Sequence, residues 1–249
     1  MSVYYDINKQ CRVFESPKRD IEMESALYDK SRGNESSKSR HENNDIKILV
    51  TSPCYDDIGK VLTLMQIPYE QYAPNKSCDM LFVNCGTGDP VDPMKLRSFV
   101  GNGGMLYISD LASHLLISGF PGLFNFDGNQ GKSGTMRAKV CDAELMEIVG
   151  NTVSIYFDLS SWSVLNSINR GKVILSGNAN KPIMVHVPYE KGNIFYTCFH
   201  NHTQANEKEM TLLKLLIMKQ IGEFRQTSIA EVSKEMKVNL AEYRQVFTK

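Results

Sequence analysis

The chain has 249 residues, 42% of them hydrophobic, and its 28 lysines and arginines balance its 28 aspartates and glutamates. This balance gives no general electrostatic attraction to nucleic acid or to an anionic membrane, so a nucleic-acid partner is not indicated. The hydrophobic content suffices for the core of one large or two small domains. No uninterrupted apolar run has the length of a membrane span, and we predict no membrane association.

The six cysteines are scattered along the chain and form no Cys-x-x-Cys pair. In a chain of this length such a pattern is typical of reduced thiols, and it lacks the spacing of a zinc site. The N-terminal sequence MSVYYDINKQ has no apolar segment of the kind found in signal peptides. We therefore predict a cytoplasmic protein, and the sequence assigns neither a metal-ligand set nor a cofactor.

The predicted elements begin after a polar N-terminal segment. Residues 31–45 contain no large apolar side chain and are typical of a disordered linker, so residues 1–45 are predicted to form an arm and linker. From Ile46 onward, buried-strand runs alternate with amphipathic segments, which is typical of a parallel sheet covered by helices. Strands are predicted at Ile46–Ser52, Tyr69–Ala73, Asp79–Asn84 and Met105–Ser109. Helices are predicted at Cys54–Gln66 and Met94–Val100, with a further helix beginning at Leu111.

The second half of the chain is less regular and predicts a β-rich insertion or sheet extension. Its strands are predicted at Thr135–Val140, Thr152–Phe157, Lys172–Leu175 and Ile183–Val187, with a short helix at Cys141–Val149. The segment Glu190–Thr203, EKGNIFYTCFHNHT, predicts a last buried strand, and Glu207–Gly222 a helix after it. We assign residues 46–222 to one α/β domain.

Residues 223–249 are predicted to form a C-terminal amphipathic helix. Apolar side chains recur every three or four residues over Ser228–Phe247, with charged residues between them. This helix either docks on its own domain or binds a protein partner or a second copy of the chain. We favour the partner interpretation slightly.

Two segments resemble the ThuA-like group of the class I glutamine amidotransferase-like superfamily. They are Leu96–Gly104 (LRSFVGNGG) with the strand MLYISD after it, and the late strand Gly192–Thr197 (GNIFYT). Together with the elements above, the resemblance implies an α/β fold: a flavodoxin-like three-layer sandwich with a mostly parallel sheet, a β-rich insertion and a helical C-terminal extension. It also implies that His200 lies close to the family histidine.

The chain departs from the amidotransferase branch at the turn after Met105–Ser109. That branch carries a nucleophilic cysteine on a sharp turn there, whereas this chain has Asp110 in the sequence ISDLAS. In the ThuA-like branch a histidine tends to follow the same strand, and Asp110 stands near its place. Glutamine hydrolysis by the usual thiol route is therefore not expected.

The candidate catalytic residues are Asp110, His200 and His202. All three are predicted to lie at carboxyl ends of strands, where open α/β sheets bind ligands. A carboxylate beside an imidazole can serve as acid and base, or can bind a divalent metal together with water. The structural alternative, which we favour, is that Asp110 caps the helix beginning at Leu111 and that one histidine is structural and the other exposed.

Several further residues have a functional and a structural interpretation. Cys85 and Cys198 are either nucleophiles or, as we favour, small buried residues. Gly86, Thr87 and Gly88 form a loop whose amides could approach an anion or another ligand. Gly128–Ser133 lacks the spacing of a P-loop and is predicted to be a turn. Trp162 is either a core residue, as we favour, or a platform for a sugar ring.

The sequence therefore leaves two functions open. The favoured prediction is a non-catalytic amidotransferase-like module that acts as a protein-interaction or ligand-binding component of a cytoplasmic assembly. The alternative, implied by the resemblance, is a ThuA-like enzyme that uses Asp110, His200 and His202 on a small polar, carbohydrate-derived substrate. A shared pocket that holds Asp110 and His200 within hydrogen-bond or metal-bridging reach would favour the enzyme.

Overall fold

The structure is a computed structural model that describes residues 46–248, so the predicted N-terminal arm and linker lie outside the described residues. Strands and helices alternate in the first half of this part of the chain, whereas strands predominate in the second half before the C-terminal helices. The strands are β1 (Ile48–Val50), β2 (Glu70–Gln71), β3 (Met80–Val83), β4 (Met105–Ser109), β5 (Phe124–Gln130), β6 (Gly134–Val140), β7 (Thr152–Phe157), β8 (Trp162–Ile168), β9 (Lys172–Ser176), β10 (Pro182–Tyr189) and β11 (Gly192–Thr197). The α-helices are α1 (Ile58–Leu64), α2 (Pro93–Gly101), α3 (Ser113–Gly119), α4 (Ala143–Val149), α5 (Glu207–Arg225), α6 (Ile229–Glu235) and α7 (Leu240–Thr248). None of the described helices is long and apolar enough to cross a membrane.

Nine strands form one sheet in the order β2-β1-β3-β4-β11-β10-β9-β6-β7. The strands from β2 to β11 are parallel to their neighbours, and β10, β9, β6 and β7 extend the sheet in antiparallel fashion. All five residues of β4 are buried, as expected for a central strand covered on both faces. The predicted α/β fold with a β-rich extension is confirmed.

The late strand β11 lies beside β4 because a glycine permits the approach. A Cβ atom on Gly192 would come within 2.3 Å of the carbonyl oxygens of Gly104 and Val100, so a larger residue does not fit at this place. β11 then runs parallel to β4 up to the pair Thr197 and Ser109. The two strands therefore end side by side, and the residues that follow them are neighbours.

A separate antiparallel pair of strands, β5 and β8, was not predicted. Their pairing has irregularities on both sides of Phe126, and β5 contains Asp127 and Gly128, which are uncommon in strands. The alternation on which strand prediction depends is therefore lost. The predicted turn at Gly128–Ser133 is partly the end of β5, with the loop itself at residues 131–133.

The C-terminal segment forms two helices, so the single helix predicted over Ser228–Phe247 is wrong. Between α6 and α7, Lys237 has a φ of +58°, and a residue in this left-handed conformation cannot continue an α-helix. Ile229 and Val232 of α6 are buried, whereas no residue of α7 is buried. The apolar side chains of the first of these two helices are thus part of the core of the α/β domain.

Candidate functional site

The chain turns sharply where β4 ends and the next helix begins, and we call residues 109–111 the elbow. Asp110 has a φ of +41° there, a conformation that few residues other than glycine, asparagine and aspartate adopt. A turn of 3₁₀ helix over Asp110–Ala112 and then α3 follow. A strained turn of this kind presents one side chain at the edge of the sheet, as the nucleophile elbows of hydrolases do. Here that side chain is a carboxylate.

The Asp110 carboxylate is fully buried and is held from several sides. The backbone N–H of Ser163 in β8 donates to Oδ1 over 2.7 Å, and Oδ2 lies 3.2 Å from Nε2 of His200. The Cys85 thiol donates toward Oδ2 from 3.7 Å. The predicted capping role of Asp110 is wrong, because Asp110 lies inside the 3₁₀ helix and the N-cap position falls on Ser109.

His200 lies between two carboxylates and is 1% exposed. Its Nε2 faces Asp110, and its Nδ1 lies 2.8 Å from Oδ1 of Asp158, which follows β7. Burial lowers the pKa of His200, but the contacts with Asp110 and Asp158 outweigh it and raise the pKa well above its usual value. Without another ligand, the contacts with the two carboxylates therefore favour the protonated form of His200.

His202 is held by a different carboxylate, that of Asp56 in the loop after β1. Its Nδ1 lies 3.5 Å from Oδ1 of Asp56, and its ring stacks on His200 with 5.9 Å between the ring centres. Asp56 also accepts hydrogen bonds from the backbone and the side-chain amide of Asn201. Burial raises the pKa of Asp56, but the hydrogen bond with His202 and the charges of both imidazoles lower it to about 2.

The structure thus brings Asp110 and His200 into contact and pairs His202 with Asp56. The sequence analysis missed Asp56, Asp158 and the participation of Cys85. The sequence offers one clue to the two aspartates, which is their position: Asp56 and Asp158 follow β1 and β7, as Asp110 follows β4.

Both cysteines considered as nucleophiles are buried thiols. Cys85 is fully buried, and this burial raises its pKa to about 12, so the thiol is neutral at physiological pH. Cys198 is equally buried, its pKa is raised by burial, and its thiol donates to the carbonyl of Ile183. Neither has the lowered pKa of an activated thiol.

The loop of Gly86, Thr87 and Gly88 is closed by local hydrogen bonds. The N–H of Thr87 donates to the carbonyl of Asn84, and the N–H of Asp89 donates to the Thr87 hydroxyl. Gly86 packs against the Tyr55 ring, which a Cβ atom would contact at 2.3 Å. The carboxylate of Asp89 adds a negative charge beside the loop, which does not suit an anion.

Trp162 is 8% exposed and packs on Phe157, with 4.6 Å between the ring centres. Gly131 lies directly against its indole, where a Cβ atom would come within 2.2 Å of Nε1. The indole also borders a cavity of about 570 Å³ that Arg137 and Lys181 line. Trp162 is therefore mainly a packing residue.

The β5–β8 sheet covers the elbow through Ser163. Besides its N–H bond to Asp110, Ser163 donates its hydroxyl hydrogen to the side chain of Asn129 in β5, and its hydroxyl oxygen accepts from Ser113 of α3. Its carbonyl accepts from the Tyr196 hydroxyl in β11. As a result Ser163 is 2% exposed, and the side chains beneath it are closed off from solvent.

Solved structures with a similar fold come from several kinds of protein, whereas no known family profile and no curated protein matches the chain. A beta-galactosidase from Bacillus circulans sp. alkalophilus is similar over 74% of this chain and 32% of its own, with a TM-score of 0.53 and 11% identity. A ThuA-like protein from Bacteroides uniformis is similar over 78% of this chain and 99% of its own, with a TM-score of 0.51 and 9% identity. A GMP synthase subunit from Thermoplasma acidophilum is similar over 84% of this chain and 100% of its own, with a TM-score of 0.51 and 10% identity.

These similarities define the class of the protein as a flavodoxin-like α/β fold. More particularly, the fold is similar to the folds of a ThuA-like protein and of a GMP synthase subunit, in line with the resemblance of the sequence. The chain spans about a third of the length of the beta-galactosidase. At such low identities the likeness concerns the fold alone, so the function has to be argued from the residues of the site.

Asp56→Asn should destabilise the protein in a pH-dependent way. The pKa of Asp56 is about 2 in the folded chain against an ordinary 3.8, so its ionised form adds about 2 kcal/mol of stability above pH 5. This contribution is lost as the pH falls toward 2. Wild type and Asp56→Asn are unfolded with urea at several pH values between 5 and 2. The difference between their free energies of unfolding should become smaller as the pH falls.

The control for this experiment is Asp57→Asn, which removes the neighbouring carboxylate. Asp57 lies 3.7 Å from the exposed Lys60, and a surface pair of this kind is worth at most about 1 kcal/mol. A difference between wild type and Asp56→Asn that stays constant from pH 6 to the acid limit would contradict the role given to Asp56.

Proposed function

We propose that this protein is a non-catalytic module with an amidotransferase-like fold, acting as a protein-interaction or ligand-binding component of a cytoplasmic assembly. The observation that carries the proposal is the complete burial of the side chain on the elbow. Asp110 is 0% exposed, and its two carboxylate oxygens face Ser163 and His200. A catalytic group has to reach its substrate, and this carboxylate is already engaged within the protein.

Thiol chemistry is poorly supported at this site. The elbow carries aspartate where the amidotransferase branch carries its cysteine, and the nearby Cys85 has its pKa raised to about 12 by burial. A neutral thiol is a weak nucleophile, and the carboxylates of Asp110 and Asp158 raise the pKa of His200, so the protonated form that cannot accept the thiol proton is favoured. These features favour a structural role for the residues around the elbow.

The contact between Asp110 and His200, which is the reach expected of the enzyme, favours the alternative function. Asp110, His200 and Asp158 form a continuous chain of carboxylate, imidazole and carboxylate, an arrangement suited to proton transfer or metal-assisted chemistry. A ThuA-like enzyme acting on a small polar, carbohydrate-derived substrate would use such a chain together with His202. Catalysis would require the β5–β8 sheet to move away from the elbow, since Ser163 covers Asp110.

The surface that we propose for a protein partner or a second copy is α7. Its apolar side chains at Leu240, Val246 and Phe247 are half-exposed, although α6 before it is anchored by the buried Ile229 and Val232. Helix α7 contacts α4 and α5 without burying any residue. Apolar side chains in this position are available to complete their burial against another protein.

Asp110→Asn separates the two functions by its effect on stability. Asparagine tolerates a positive φ as aspartate does, so the substitution removes the charge without adding backbone strain. If Asp110 is structural, the free energy of unfolding should fall by about 2 kcal/mol, because its hydrogen bonds are those of a charged group. A variant as stable as wild type, or more stable, would favour the enzyme, since catalytic groups are often kept at a cost in stability.

Asp127→Asn is the matched control for this comparison. Its carboxylate is half-exposed and pairs with Lys181 at the surface, so the loss should not exceed about 1 kcal/mol. Both variants are measured by denaturant unfolding at neutral pH.

Val246→Lys should weaken the proposed association through α7. The substitution puts a charge on the apolar side of the helix, and the mass of the protein in solution, or the amount of a partner that co-purifies, should fall. Gln245→Lys introduces the same residue at an exposed neighbouring position and should leave both unchanged. Equal mass and equal partner recovery for wild type, Val246→Lys and a chain ending at Asn239 would contradict the role of α7.

A further inference from the structure

We propose that Cys85, Asp110 and His200 bind one divalent transition-metal ion, most suitably Zn²⁺, and that Asp158 orients the histidine. The inference goes beyond the proposed function, and metal binding can be measured without an activity assay. The three ligands follow β3, β4 and β11, which are adjacent in the sheet. The site is thus built on the rigid centre of the fold.

Two of the three distances between the donor atoms, those to the Asp110 carboxylate, match the distances around a tetrahedral zinc ion. Sγ of Cys85, a carboxylate oxygen of Asp110 and a ring nitrogen of His200 all lie within 4.8 Å of one another. With zinc bonds of about 2.3 Å to sulfur and about 2.1 Å to oxygen and nitrogen, tetrahedral angles separate sulfur from oxygen by about 3.6 Å and oxygen from nitrogen by about 3.4 Å. The corresponding separations here are 3.7 and 3.2 Å.

The Nε2 atom of His200 lies 3.2 Å from Oδ2 of Asp110 but makes no hydrogen bond of acceptable geometry, although the side chain is 1% exposed. A buried ring nitrogen without such a bond is uncommon and calls for a ligand. The other ring nitrogen, Nδ1, faces the Asp158 carboxylate at 2.8 Å. A histidine held by a carboxylate on one side and presenting its second nitrogen on the other is the usual arrangement of a metal ligand.

The carboxylates around the cluster pair with imidazoles. Three carboxylates, those of Asp56, Asp110 and Asp158, meet two imidazoles at this edge of the sheet. Within residues 46–248 none of the three forms an ion pair with a lysine or an arginine. In this part of the chain no ammonium or guanidinium group therefore pairs with the Asp110 carboxylate that would bind the ion.

The donor set selects the class of metal. Thiolate and imidazole ligands suit zinc and neighbouring transition metals, whereas Mg²⁺ and Ca²⁺ prefer oxygen ligands. Binding would release the thiol proton of Cys85 and the Nε2 proton of His200. The ion with one thiolate and one carboxylate is then formally neutral, and three protein ligands leave a fourth position for water.

The test uses the full chain, stripped with a chelator and then titrated with Zn²⁺ or Co²⁺. We expect one ion per chain and, with Co²⁺, the charge-transfer absorption of a thiolate ligand. Cys85→Ser should abolish this absorption, and Cys141→Ser, which removes an exposed thiol outside the cluster, should leave it unchanged. Asp158→Asn should keep the absorption but weaken the affinity about 10- to 100-fold.

Two results would overturn the proposal: no uptake of either metal by the wild-type protein, or a thiolate absorption that persists in Cys85→Ser. If Cys85→Ser does not fold, the test is a comparison of the Co²⁺ spectra of wild type and His200→Gln. Absorption by a cobalt–thiolate complex that is lost in His200→Gln supports the site, and Co²⁺ uptake without this absorption excludes it.

Discussion

Asp110 and His200 meet at the carboxyl edge of the sheet, with 3.2 Å between Oδ2 and Nε2 and with both side chains almost fully buried. The charge of a buried carboxylate has to be compensated by hydrogen bonds or an opposite charge. Three strands around the site contribute to this compensation. β4 ends in a residue with a positive φ, β11 runs beside β4, and β8 brings the N–H of Ser163 to the carboxylate. The elbow, the late strand and the covering sheet therefore depend on one contact.

The contact between Asp110 and His200 is a feature of the site, and it cannot be inferred from the fold that the chain shares with its structural neighbours. The elbow is present, with a positive φ at the end of a central strand, but it carries a carboxylate that contacts a histidine and a backbone amide. Proteins as different as a beta-galactosidase and a GMP synthase subunit share this fold, so the fold does not determine a reaction. The burial of Asp110 supports a structural or metal-binding role over catalysis in an open cleft.

The sequence predicted the parallel half of the sheet well, because β1, β3, β4 and β11 are short apolar runs bounded by turns. It also placed Asp110 and His200 at strand ends. It could not predict β5 and β8, since glycine, aspartate and bulges interrupt their alternation. The contact of Cys85 with Asp110 was missed, because it depends on how β3 and β4 pair.

Amide hydrogen exchange at Ser163 tests the closure of the elbow most directly. This N–H donates to Asp110 over 2.7 Å and is the contact that holds β8 over the site. We expect it to exchange on the timescale of global unfolding, whereas the amides of the exposed Lys132 and Ser133 exchange rapidly. Exchange at Ser163 as fast as in that loop would mean that the site opens in the native protein, which would contradict the account of a closed, non-catalytic elbow.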